Sequence, residues 1–122
     1  ARPTVLTLAD LRRLPPVSRT CFIECAGNGR AAYRAPTREM TPQQVDGMVS
    51  NGEWTGVLLS TLLREAGVAR DDDAWIVAEG GDAPKLARSI PASKAWDDAL
   101  VAWAFNGEPM RPFADDTELC AW

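Results

Sequence analysis

The chain has 122 residues, a length typical of one small domain or of part of a larger one. Its net charge of −4 argues against a nucleic-acid binder, and no run of about 18 apolar residues is present to span a membrane. It contains no histidine, which excludes Ser-His-Asp and Cys-His catalysis and histidine-containing zinc sites within this chain. Its first residues resemble neither a signal peptide nor a natural start, so we expect a piece of a longer precursor.

Charge is distributed unevenly along the sequence. Residues 1–40 carry seven arginines and three acidic residues, whereas residues 41–122 carry six basic and fourteen acidic residues. A solvated surface accounts for this asymmetry. The alternative is an anionic ligand held by the N-terminal arginines.

The first half of the chain predicts one short helix, one strand and a long irregular segment. Thr7 is a suitable N-cap with Asp10 three residues later, and the leucines that follow lie on one helical face. Residues 17–25 are rich in β-formers and predict a strand. Residues 26–53 are predicted to be irregular apart from one helical turn beginning at Pro42. A loop of that length in a small domain is usually functional or disordered.

The second half predicts alternating short helices and strands. Residues 58–66 follow a helical stripe that is expected to be core, and Gly67 is the expected C-terminal stop. Asn106-Gly107 is a tight-turn signal that predicts a hairpin whose second arm begins at Pro109. The remaining predicted elements are a short buried strand at 75–78, a helical turn at 92–96 and a strand at 99–105.

Two of the three cysteines, Cys21 and Cys25, lie on the first predicted strand. On a regular strand they would be about 13 Å apart, at about 3.3 Å per residue. A disulfide needs Cα atoms within about 7 Å, so the two are not expected to pair. Cys21 is predicted to be a small buried side chain. Cys25 differs because glycine-rich chain follows it directly.

Residues 25–30, Cys-Ala-Gly-Asn-Gly-Arg, are the strongest candidate site. The glycines permit a close approach of a large ligand to the backbone, and Asn28 tolerates the left-handed region. The fork of donors on Arg30 suits an anion. A second strand-to-glycine junction ends in Asp82. One interpretation of the first junction is a thiol-reactive module in which Arg30 activates Cys25.

Five short motifs lie at residues 25–30, 53–57, 78–83, 88–91 and 106–108. Together they resemble the sulfite oxidase family of molybdenum enzymes, in particular the molybdoprotein subunits of bacterial sulfane dehydrogenases. They occur in the family's order at similar spacing, and the resemblance extends from about Leu6 to Arg111. It implies an α+β fold with short mixed strands, short helices and long loops. Residues 1–112 would form part of a molybdopterin-binding oxidoreductase domain, and residues 113–122 a divergent tail.

The resemblance also implies roles for individual residues. Cys25 is implied as the protein ligand of molybdenum, a metal that accepts soft thiolates. Arg30 is implied as a second catalytic residue. Asn28, Asp82 and Ser89 are implied as contacts of the molybdenum cofactor. The Asp82 carboxylate can accept paired hydrogen bonds from a pterin, although a simple turn acid is the alternative. Trp54 is expected to belong to the core.

The implied activity is oxidation of sulfane or sulfite, with electrons passed to a c-type cytochrome subunit. The sulfur substrate would be free or bound to a carrier, and the implied location is the periplasm. Assembly into an oligomer is compatible with this interpretation, whereas nucleic acid is not an expected partner. The alternative is a non-catalytic fragment or a partner-binding piece of such a protein, because the family domain is longer than this chain.

Overall fold

The computed structural model describes residues 3–34, 39–81 and 85–110. These residues form short helices and strands that confirm the predicted α+β class. In chain order they are α1 (Leu8–Leu11), β1 (Val17–Glu24), α2 (Arg30–Arg34), α3 (Pro42–Asp46), β2 (Val49–Leu58), α4 (Leu59–Glu65), β3 (Trp75–Glu79), β4 (Ala87–Pro91), α5 (Ala92–Asp97), β5 (Leu100–Phe105) and β6 (Glu108–Pro109).

The larger sheet has the strand order β1-β2-β5-β6, and every neighbouring pair is antiparallel. The β1–β2 register runs from Val17 opposite Gly56 to Glu24 opposite Val49. Between β2 and β5 the register shifts at Thr55 and Gly56, where β5 carries one additional residue. A Cβ at Gly56 would overlap the carbonyl oxygen of Val101, so the close approach of these strands requires glycine.

One face of this sheet carries the main apolar cluster. Val57 and Val101 are register partners, and both are buried together with Leu11 of α1. Partly buried side chains pack around these three: Leu6, Leu14, Leu59, Leu62 and Trp103. The leucine stripe predicted after residue 58 therefore contributes to the core as expected.

Local signals predicted the ends of several elements correctly. Thr7 caps α1, and its hydroxyl accepts from the Asp10 backbone N–H while the Asp10 carboxylate accepts from the Thr7 N–H. Gly67 follows α4 with a φ of +69°. Asn106 and Gly107 adopt φ of +50° and +80° between β5 and β6, as a two-residue hairpin turn demands.

The prediction that residues 26–53 are irregular is wrong. They include α2 and α3 as well as the first part of β2, which begins at Val49. The expected helical turn at Pro42 is present, capped by Thr41. Pairing with β1 explains the early start of β2, because this partner satisfies the backbone despite weak strand formers such as Asn51 and Gly52.

A second sheet consists of β3 and β4, paired antiparallel. The prediction of a buried strand at residues 75–78 is wrong in its burial, since the Trp75 and Val77 side chains are 64% and 65% exposed. Ile76 and its register partner Ile90 point to the other face and are half-buried. The face of this sheet that carries Ile76 and Ile90 is packed, which accounts for its apolar residues. No element of the described chain covers the opposite face, which carries Trp75 and Val77. No helix among the described residues is long and apolar enough to cross a bilayer.

Candidate active site

Cys25 is the first residue beyond β1 and keeps one hydrogen bond to the neighbouring strand region. Its backbone N–H donates to the Met48 carbonyl at 3.0 Å. Its side chain is exposed, and the sulfur accepts a bond of 3.4 Å from the Gly27 backbone N–H. The thiol is thereby oriented by the turn that follows while staying open to a large ligand.

The turn after Cys25 is held by backbone hydrogen bonds. The Asn28 N–H donates to the Cys25 carbonyl at 2.8 Å, and the Arg30 N–H donates to the Gly27 carbonyl at 3.2 Å. Gly29 adopts a φ of +78° and donates to the Val45 carbonyl of α3 at 3.0 Å. The turn is thus anchored both within itself and to α3.

The Asn28 side chain joins the turn to the chain before β2. Its Oδ1 accepts from the Met48 backbone N–H at 3.0 Å, and its Nδ2 donates to Glu24 Oε1 at 2.9 Å. One amide hydrogen remains for a further contact. Sequence reasoning predicted Asn28 but missed Glu24 and Met48, because no local pattern marks a contact between a strand end, a turn and a residue 20 positions away.

Arg30 begins α2 and its side chain is exposed beside the thiol. A Cβ at Gly27 would lie 3.6 Å from Arg30 Cδ, 3.9 Å from Arg30 Nη1 and 3.8 Å from Cys25 Sγ. The guanidinium and the sulfur therefore lie on the same side of Gly27. The structure brings Cys25, Asn28 and Arg30 together in one turn.

The other two predicted cofactor contacts are not part of this turn. Asp82 lies outside the described residues. Ser89 lies on the outer face of β4, opposite Val77, and is exposed. Its hydroxyl has no hydrogen-bond partner within the described part of the chain.

The turn after Cys25 offers one sulfur donor, which suits a metal whose other ligands come from a cofactor. Among the described residues no group of three or more His, Cys, Asp or Glu side chains is placed to hold a metal ion. Cys25 nevertheless offers an accessible soft sulfur, with small residues after it that leave room for a bulky group. This donor set fits the molybdenum cofactor, whose dithiolene supplies further sulfur ligands.

A cleft of about 330 Å³ lies on one face of β1 and was missed by sequence reasoning. The prediction that Cys21 is buried is wrong, because its side chain is exposed where this edge strand borders the cleft. Neither Cys21 nor Cys25 is bonded to another cysteine within the described residues, as expected from their spacing. The other lining residues are Arg19, Phe22, Ile23, Trp54, Ile90, Lys94, Asp98, Ala99, Leu100 and Ala102.

Hydrogen bonds across this cleft connect β1 to its neighbours. Arg19 Nη1 of β1 donates to the Asp98 carbonyl at 3.0 Å. The Asp98 side chain accepts locally, from Lys94 Nζ of α5 at 2.6 Å. Trp54 Nε1 donates to the Cys21 carbonyl at 3.2 Å, and its ring packs on Phe105 with centroids 4.5 Å apart. The sequence predicts Trp54 in the core, but it is half-buried and lines the cleft, apart from the cluster of Leu11, Val57 and Val101.

Comparison with known proteins gives a consistent group of relatives. Residues 1–114 match the family described as the oxidoreductase molybdopterin binding domain. The mitochondrial sulfite oxidase of Drosophila melanogaster is 33% identical over 117 residues, which cover 90% of this chain and 20% of that protein. The NADPH nitrate reductase of Phytophthora infestans is 38% identical over 97 residues, covering 75% of this chain and 11% of that protein.

A solved structure shares both sequence and fold with the chain. The crystal structure of the sulfane dehydrogenase SoxCD from Paracoccus pantotrophus superimposes with a TM-score of 0.77 and 41% identity. The match covers 90% of this chain and 28% of that one. The chain therefore spans less than a third of the length of each of these relatives.

Proposed function

Because the chain belongs to the oxidoreductase molybdopterin binding domain family, we propose that it forms part of the molybdenum site of an enzyme that oxidises sulfane or sulfite. The observation that carries this proposal is the free, exposed Cys25 thiol at the end of β1, oriented by the turn that also presents Arg30. A thiolate in this position is a suitable protein ligand for a metal with other sulfur ligands.

Each residue of the turn has a distinct part in the proposed site. Cys25 Sγ binds the metal, and the Arg30 guanidinium attracts and orients an anionic sulfur substrate beside it. Asn28 has one amide hydrogen available for a cofactor contact. Asp82 and Ser89 are proposed as further cofactor contacts. When bound, the cofactor supplies two-electron oxidation and reduction, while the protein supplies binding and orientation.

Sulfur chemistry is preferred over nitrate chemistry on the strength of similarity. The match to the sulfane dehydrogenase structure has 41% identity over 90% of the chain, whereas the nitrate reductases match at 28–38%. The same resemblance supports a c-type cytochrome subunit as electron acceptor, a periplasmic location and assembly with partner subunits.

The test is turnover by the full-length protein produced in a host that makes the cofactor. We expect sulfite or thiosulfate to reduce a c-type cytochrome in the wild type and in Cys21→Ser. Cys25→Ser should lose this activity while keeping the wild-type fold and most of the pterin. Cys21→Ser is the matched control because Cys21 on β1 is also a free, exposed cysteine, four residues before Cys25.

Three results would contradict parts of the proposal. Wild-type turnover in Cys25→Ser would remove this sulfur from the metal. Nitrate-dependent turnover without sulfur oxidation would assign the chain to nitrate chemistry. A wild-type protein without molybdenum and pterin would favour the non-catalytic alternative.

A further inference from the structure

We propose that the Glu24 carboxylate is a positioning residue for Cys25 and acts through the Asn28 amide. Its relevance to catalysis rests on the proposed function, because that function makes Cys25 the metal ligand. The structural part of the inference concerns only hydrogen bonds within this chain, and it can be tested without the cofactor.

The first step is that Glu24 fixes the orientation of the Asn28 amide. A carboxylate only accepts hydrogen bonds, so Glu24 Oε1 selects the NH₂ end of Asn28, at 2.9 Å. The amide oxygen is then directed at the Met48 backbone N–H, at 3.0 Å. If the Asn28 amide were reversed, its NH₂ group would face the Met48 N–H and its oxygen would face the Glu24 carboxylate, and neither pair could form a hydrogen bond. Met48 and Glu24 therefore select the same amide orientation.

The second step connects Met48 to Cys25. Both backbone polar groups of Met48 are hydrogen-bonded: its N–H donates to Asn28 Oδ1, and its carbonyl accepts from the Cys25 N–H at 3.0 Å. Glu24 and Cys25 are consecutive, so these bonds close a ring through Glu24, Asn28, Met48 and Cys25. We call this set of contacts the Asn28 ring.

The third step is the effect on the sulfur. The Cys25 N–H is held by Met48 and its carbonyl by the Asn28 N–H at 2.8 Å. The backbone on both sides of the Cys25 Cα is therefore fixed, and this sets the direction of the Cα–Cβ bond and of the sulfur. Loss of the Glu24 bond frees the Asn28 side chain and loosens the Met48 contact that holds the Cys25 N–H.

The experiment exchanges the donor and acceptor of the central bond. Glu24→Ala removes the acceptor, and Asn28→Asp replaces the donor by a carboxylate that faces Glu24. The double variant Glu24→Gln with Asn28→Asp restores a donor–acceptor pair with reversed direction, while the carboxylate introduced at position 28 still accepts from the Met48 N–H. Glu65→Ala is the matched control, since it removes an exposed glutamate at the end of α4.

Two readouts are measured on the full-length protein without cofactor: hydrogen exchange at the Cys25 and Met48 amides, and the alkylation rate of Cys25 followed by peptide mapping. We expect Glu24→Ala and Asn28→Asp to raise amide exchange about five- to tenfold, as for loss of one hydrogen bond. The alkylation rate should change in the same variants. The double variant, Glu24→Gln alone and Glu65→Ala should stay near the wild type, which is the non-additivity expected of a direct pair.

Wild-type exchange in Glu24→Ala would overturn the inference, as would a double variant no closer to the wild type than Asn28→Asp. If Asn28→Asp does not fold, Glu24→Ala decides the question alone, since it removes only an exposed side chain. In the loaded protein, Glu24→Ala should shift the absorption band of the metal–thiolate bond, while Glu65→Ala should not. Failure of molybdenum binding would leave the two cofactor-free readouts intact, so it would count against the proposed function only.

Discussion

Cys21 and Cys25 lie four residues apart and have different surroundings. Cys25 is contacted by a turn N–H and lies beside a guanidinium, whereas Cys21 borders a largely apolar cleft. Sequence reasoning identified Cys25 because strand residues give way to glycines there. It failed for Cys21 because burial depends on what covers an edge strand, and no local pattern reports that.

Cys21→Ala is expected to be tolerated. An exposed side chain that makes no hydrogen bond among the described residues should cost less than about 1 kcal/mol when truncated. Chemical denaturation of the variant and the wild type measures this difference. A loss of several kcal/mol, or a cross-link between Cys21 and Cys25 in a non-reducing peptide map, would contradict it.

Gly56 and Gly27 should respond differently to alanine. A Cβ at Gly56 would overlap the backbone of Val101, so Gly56→Ala should destabilise the fold by about 1–3 kcal/mol or more. Gly27→Ala is the control, because its nearest neighbours would be 3.6 Å away and no clash results. Thermal melting of both variants tests the contrast, and equal melting temperatures would show that the β2–β5 approach is less tight than described.

At the scale of elements, local sequence signals predicted where helices and turns end, whereas contacts with distant strands decided where β2 begins and which strand residues are exposed. The cap at Thr7, the stop at Gly67 and the turn at Asn106 follow from short-range rules that apply wherever the segment lies. The start of β2 at Val49 depends on β1, whose partner residues are 25 or more positions away. The exposure of Trp75 likewise depends on which elements pack on the second sheet, and periodicity cannot show this.

The α1 capping box should make stability sensitive to acid. The hydroxyl of Thr7, followed by its backbone N–H, lowers the pKa of Asp10 below its ordinary value. The folded pKa is depressed, so the stabilisation is complete above about pH 4 and is lost as the pH falls through the lower folded value. Thr7→Ala removes the main cause and should lower the melting temperature by a few degrees at pH 7.

The same variant provides the control for this pH dependence. The difference in melting temperature between Thr7→Ala and the wild type should shrink as the pH is lowered from about 5 towards about 2. Melting curves recorded across that range measure it. A difference that stays constant with pH would show that the cap stabilises α1 through the hydroxyl alone.

At the scale of the whole molecule, the matched family explains the fold better than it explains a complete site. Residues 1–114 match the family, and the described chain brings together Cys25, Asn28 and Arg30. The sequence could predict this turn because its six residues are consecutive. It could not predict the Asn28 ring or the cleft, since Met48 and Asp98 reach them from distant parts of the chain.

Residues 1–122 produced alone are expected to hold less than one molybdenum per chain. The Cys25 sulfur is exposed, and the described residues supply no other cluster of metal ligands. A polar pterin needs its hydrogen-bonding groups satisfied from several directions as water leaves. Elemental analysis and pterin fluorescence, compared with the full-length protein, provide the test. Stoichiometric molybdenum with sulfur-dependent cytochrome reduction would show that these residues contain the whole site.

The additional residue in β5 reverses the alternation of that strand. Leu100 and Ala102 face the cleft, so strict alternation would place Phe105 on the opposite side, with Val101 and Trp103. The shift at Thr55 and Gly56 instead makes Phe105 the partner of Trp54, on the cleft side. If residues 102–105 paired in regular register, Phe105 would lie opposite Glu53 and its ring would be on the face away from Trp54, so the bulge is what brings the two rings onto one face.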